Sequence, residues 1–186
     1  MIVAALIAFC ATAVLQLILG RVPVGHGMRA NIAAAVATPV LLGVVALLAL
    51  AAEPATGGLE VFVHVLTVIT AVTGGTLLVR SALLLGGIEP WQLDSPPPMP
   101  GGADNTPPDP TPLRGGRVIG YLERIVVVAA LGLRWPEAIA IVLAVKGLGR
   151  YPELRESGAA EQFIIGTLAS VLWAAAVAGT GYLLLR

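Results

Sequence analysis

From Ile2 to Leu19 the chain carries no charged residue, and the same silence returns over Ile32–Ala52, between Glu60 and Arg80, and from Phe163 to Leu185. A helix needs about 20 mostly apolar residues to cross the hydrocarbon core of a bilayer. Each of these runs meets that requirement, and a chain that repeats it is constrained before any motif is considered. Of the 186 residues, 57% are hydrophobic and 12% charged, the latter about half the share usual in a soluble domain. With a mean hydropathy of +0.90, a soluble protein of this length could not hide so much apolar surface. The expectation is an all-α integral membrane protein whose first partner is the lipid bilayer.

Two shorter apolar runs follow, Arg117–Leu133 and Ala138–Leu148. The second is short for a full crossing, so a tilted helix in thinned bilayer and a re-entrant hairpin are both open. The count is therefore five or six transmembrane helices. The breakers between them are clear: Arg21 to Arg29 with Pro23 and two glycines, Glu53-Pro54, Arg134-Trp135-Pro136-Glu137, and Gly149 to Glu156. Pro136 suits a helix start. Pro39 is a kink of the kind membrane helices tolerate, and Gly74-Gly75 marks a flexible or close-packed point.

Between the third and fourth runs the composition changes. Pro96-Pro97-Pro98, Pro100, Pro107-Pro108, Pro110 and Pro112 crowd one segment, with Asp94, Asp104 and Asp109 beside them. Such a stretch forms neither helix nor core. The organisation expected is two three-helix modules, residues 1–87 and 115–186, joined by a Pro-rich linker at 88–114.

Arginine and lysine near the helix ends set orientation. Arg21, Arg29, Arg80, Arg114, Arg117, Lys146, Arg150 and Arg155 fall on one side, Arg134 and Arg186 on the other. Both termini are expected outside, and the linker in the cytoplasm. No Lys or Arg precedes the first run, so it reads as an uncleaved helix rather than a signal peptide. Lys146 is the sole lysine; that arginine bias, with abundant Ala, Gly and Val, points to a GC-rich bacterial genome and hence to a bacterial cytoplasmic membrane.

Familiar catalytic and binding signatures are missing. There is no phosphate-binding Gly-rich loop, no His-Glu-x-x-His and no Gly-x-Ser-x-Gly. Cys10 is a lone packing cysteine, and His64 reads as a helix-packing residue. Neither a catalytic set, nor a metal site, nor a cofactor is expected, and zero net charge gives no argument for nucleic acid.

The informative exception is a charge constellation: Glu123, Arg124, Lys146, Arg150 and Glu161. Glu123 and Arg124 lie roughly 10 Å into the fourth helix, where charges are costly and face protein or water. Neighbours on a helix point about 100° apart, so the two do not pair with each other. Reflection through the turn between Arg134 and Trp135 carries position 123 to Lys146. An antiparallel hairpin sets Glu123 and Lys146 at one depth as an ion pair, with Arg124 snorkelling to the headgroups. Gly116 and Gly120 form a small-residue ridge, and Gly166, Ser170, Ala174 and Ala178 a longer one, of the kind that lets helices approach.

The order Gly116-x-x-Ile119-Gly120-x-Leu122-Glu123-Arg124, Glu137-Ala138-Ile139, Ala144-x-Lys146, Arg150-Tyr151, Glu153-Leu154, Glu161-x-Phe163-x-Ile165-Gly166-Thr167-Leu168-x-Ser170-x-Leu172-Trp173 resembles the C-terminal part of an uncharacterised family of bacterial membrane proteins. The resemblance covers 115–172. It implies that the Glu-Arg, Lys and Gly-Thr-Leu positions belong to one module, and it supplies no substrate. The functional expectation is a non-enzymatic scaffold or accessory subunit of a membrane complex, touching a membrane protein or a second copy of itself. The alternative is a small transporter or channel with a polar site at Glu123, Arg124 and Lys146.

Overall fold

Apolar runs without β-type punctuation become helices in the computed structural model, which describes residues 1–20, 28–87, 116–155 and 158–186. In chain order they are α1 (Ile2–Leu19), α2 (Met28–Leu50), α3 (Gly58–Leu85), α4 (Gly116–Gly132), α5 (Glu137–Gly149) and α6 (Ala159–Leu185), with one 3-10 turn at Glu153–Arg155. There are no strands among the described residues. Four helices, α1, α2, α3 and α6, are long and apolar enough to cross a membrane. The Pro-rich segment 88–114 lies outside the described residues, as do Arg21 and His26.

Helix limits follow hydropathy at most ends, and α1 runs over Ile2–Leu19 as its apolar run does. The exceptions are helix starts. α2 begins at Met28, ahead of its apolar run at Ile32, and α6 begins at Ala159, ahead of Phe163. Gly158, at φ 85 in the left-handed region, precedes α6. Ala159 and Ala160 that follow are strong helix formers. A helix can thus extend beyond the apolar stretch that makes it recognisable.

α3 and α6 form the axis of the bundle. Thr67 lies against Gly181, Gly74 against Trp173, and Gly86 against Ile165, so the two helices run antiparallel. A Cβ at Gly181 would overlap the Thr67 hydroxyl, and one at Gly74 would fall 2.6 Å from the Trp173 ring. Close approach is therefore built from glycine on both helices. Around this axis one core joins Phe9 and Ala13 of α1, Leu42 and Val45 of α2, Val63 and Ala71 of α3, Val127 of α4, and Trp173, Ala174 and Val177 of α6. Both halves of the chain contribute to it.

Four threonine hydroxyls inside the bundle are satisfied within their own helices. Thr12, Thr67, Thr70 and Thr180 each donate to the carbonyl four residues earlier, at 2.7–3.0 Å, so a polar side chain enters an apolar interior without an unmet donor. Cys10 is half-buried against the core. His64 is a correction: it is exposed and not packed between helices, and its Nδ1 lies 2.7 Å from the Glu60 carbonyl.

The backbone N–H of Ala55 donates to the Leu184 carbonyl at 2.8 Å. That bond ties the α2–α3 turn to the C-terminal end of α6. Met1 and Ile2 border a shallow groove there with Ala51 and Glu53. Both chain termini and this turn thus share one end of the bundle.

Candidate functional site

α4 brings two charged neighbours into the bundle, and its 100° step sends them different ways. Glu123, 3% exposed, turns to the α5–α6 side; Arg124, also 3% exposed, turns to α3. Lys146 Nζ reaches Glu123 Oε2 at 2.7 Å and donates to Thr167 Oγ1 at 3.0 Å. Three helices are joined by one ammonium. Its third side rests 5.4 Å from the centre of the Phe163 ring, within cation–π range. The Lys146 side chain keeps 21% exposure while the carboxylate is sealed.

Arg124 does not snorkel to the surface. Its Nη1, Cδ and Cζ press on the backbone of Gly75, where a Cβ would overlap them. Its Nη2 lies 3.6 Å from the Cβ position of Gly120, and its Cζ 5.4 Å from the centre of the Tyr121 ring. The notch at Gly75 takes the guanidinium, and the ring half-covers it. Adjacent Gly74 receives Trp173 and Gln16. There, Gln16 Oε1 accepts from Thr73 at 3.0 Å, and Trp173 Nε1 donates to the Thr70 carbonyl at 3.3 Å. The two glycines of α3 thus seat one polar group each from α1 and α4 beside the α6 tryptophan.

Among the described residues, four buried polar atoms have no hydrogen-bond partner: Glu123 Oε1, Arg124 Nε, Gln16 Nε2 and Ser170 Oγ. Thr167, Ser170 and Trp173 follow each other at three-residue spacing, so Ser170 lies on the α6 face between the Lys146 contact and the Gly74 contact.

The remaining sequence candidates fall outside this centre. Arg150 is half-buried at the C-cap of α5, and Glu161 is exposed in the first turn of α6. Gly116 is exposed, with no described atom within 4 Å of its Cβ position. Gly166 meets Val79 at 3.6 Å, Ser170 and Ala174 are buried, and Ala178 is half-exposed. A four-residue stripe advances about 40° per step on a 3.6-residue helix. By Ala178 the buried face has passed to Val177 and Gly181. Sequence reasoning missed Gln16, Thr73 and the hydroxyl of Thr167. Gln16, the one amide in the α1 run, is the signal that could have found the first. No protein family, curated protein or solved structure matches this chain.

Proposed function

We propose that this chain is a six-span protein of a bacterial cytoplasmic membrane, working as a non-enzymatic scaffold or accessory subunit of a membrane complex. Both termini lie outside, and the Pro-rich segment is a cytoplasmic tether between the halves. The observation that carries this reading is the Lys146 bridge to Glu123 and Thr167. A lone carboxylate at that depth costs several kcal/mol. Here its charge fastens α4, α5 and α6 together, which is what a rigid platform requires. The apolar surface outside the bundle, including Leu47, Ile164 and Leu172, fits lipid or the helices of a partner.

Purification of the full chain from its native membrane in mild detergent tests this. A stoichiometric membrane-protein partner, or a defined homo-oligomer, supports the scaffold; a monodisperse monomer with nothing bound overturns it. A second reading, a small transporter or channel, draws support from the unpartnered buried atoms of Gln16, Glu123, Arg124 and Ser170, since polar groups left open inside a bundle can line a water path. Ser170→Cys in a Cys10→Ser background distinguishes the two. Modification by a hydrophilic thiol reagent in sealed vesicles favours the path; protection favours the dry platform.

A further inference from the structure

The buried cluster carries an excess positive charge. Glu123 and Lys146 cancel each other, whereas Arg124 has no carboxylate within ion-pair distance among the described residues. A buried guanidinium without a counter-charge is strongly disfavoured. We propose that Arg124 anchors a binding site for one singly charged anionic group of the phosphodiester type, entering along α4 from Gly116. This inference is independent of whether the chain is a scaffold or a transporter.

Three observations converge on it. The first is unmet donors: Arg124 Nε, Gln16 Nε2 and Ser170 Oγ are all buried and unpartnered, and α3 collects Arg124 and Gln16 at the adjacent glycines Gly75 and Gly74. The second is access. An α-helical side chain leans toward the helix N-terminus, so Arg124 leans toward Gly120 and Gly116. Among the described residues, nothing lies within 4 Å of the Gly116 Cβ position, and Gly120 has only Arg124 Nη2 within 4 Å of its own. Among the described residues, the Gly116–Gly120 ridge has only the Arg124 side chain close to it, so it leads to the guanidinium.

The third is depth and charge. The Arg124 Cα is about 12 Å along α4 from Gly116, and the side chain reaches back toward that end. The guanidinium thus sits nearer that end than its own Cα does, and its planar fork suits phosphate oxygens. The single uncompensated positive charge of the cluster matches a monoanion rather than a dianion. The group belongs either to an anionic phospholipid or to a free inorganic anion, and the chemistry at Arg124 is shared.

The test uses the full-length protein, delipidated in neutral detergent. Thermal unfolding and native mass spectrometry are followed with phosphatidylglycerol, with diacylglycerol, and with inorganic phosphate. Phosphatidylglycerol is expected to raise the unfolding midpoint and to bind at one per chain, while diacylglycerol does neither. Arg124→Gln should weaken binding at least about tenfold, the loss of one charge-assisted contact. Gly120→Leu, which keeps the arginine but fills the ridge, should do the same and decides the matter if Arg124→Gln fails to fold. A shift produced by inorganic phosphate alone assigns the site to a soluble anion; a shift needing the lipid assigns it to a headgroup. Equal binding by wild type and Gly120→Leu, or no response to either phosphate source, overturns the site.

Discussion

At the residue scale, the interior is decided by which polar groups find partners. Lys146 is long enough to leave a half-exposed helix and still reach a sealed carboxylate. Removing either partner strands the other in a low-dielectric interior, a loss of roughly 3–5 kcal/mol in comparable buried pairs. Glu123→Gln and Lys146→Met are each expected to destabilise the bundle more than the double variant does. A double-mutant cycle read by unfolding in detergent checks this, and a coupling energy near zero would remove the pair as a lock. The pairing is legible in the sequence because depth in an antiparallel hairpin follows from distance to the turn. The seat of Arg124 is only half legible: the Gly74-Gly75 pair reads as a flexible or close-packed point, but not that a guanidinium 49 positions away fills the missing Cβ of Gly75. Nothing local marks which glycine of a membrane helix is a notch and which is lipid-facing.

At the scale of elements, α6 shows how a helix without amphipathic contrast acquires a buried face. Its interior side follows from the contact with α3 rather than from polarity: Gly166, Ser170, Trp173, Ala174, Val177 and Gly181 face in, Leu168 and Leu172 face out, with glycine where the helices come closest. Between helices in lipid, apolar burial gives little drive, and close packing of small residues takes its place. Ala174, fully buried in the shared core, should not accept a larger side chain. Ala174→Leu is expected to cost about 1–3 kcal/mol by overpacking, whereas Ala176→Leu on the exposed face of the same helix should be silent. Gly74→Ala should behave like Ala174→Leu, because its Cβ would meet the Trp173 ring and the Gln16 amide. Gly179→Ala, exposed and with nothing near it, is its control. Unfolding midpoints of the four variants rank them; equal tolerance at Ala174 and Ala176 would mean that the α3–α6 contact is not close-packed. The existence and order of these helices follow from hydropathy alone. Their partners do not, because lipid-facing and helix-facing leucines are chemically alike.

At the scale of the whole molecule, the halves separated by the Pro-rich segment share one core, with α6 packed on α3 and with α1 and α2 contributing to the same cluster. The bond from Ala55 to Leu184 sets the α2–α3 turn at the end that holds both termini. With arginine concentrated at the other end, the positive-inside bias is the ground for proposing that the termini and this turn lie outside. Depth is decided by the length of α4 and α5. At 17 and 13 residues they extend about 25 Å and 20 Å, against a hydrocarbon core of about 30 Å. Their turn nevertheless carries Arg134 and Trp135, both exposed, an arginine and an aromatic that belong at the interface rather than in hydrocarbon. The expectation is that the hairpin crosses by thinning the bilayer locally. In a Cys10→Ser background, single cysteines at Thr56, Asn105 and Glu137 would be offered a membrane-impermeant reagent from outside. Labelling at Thr56 and Glu137 but not at Asn105 supports six crossings with the linker inside. Labelling at Thr56 alone would make α4 and α5 a re-entrant hairpin and leave four spans, and labelling at Asn105 alone would invert the orientation that the arginines imply.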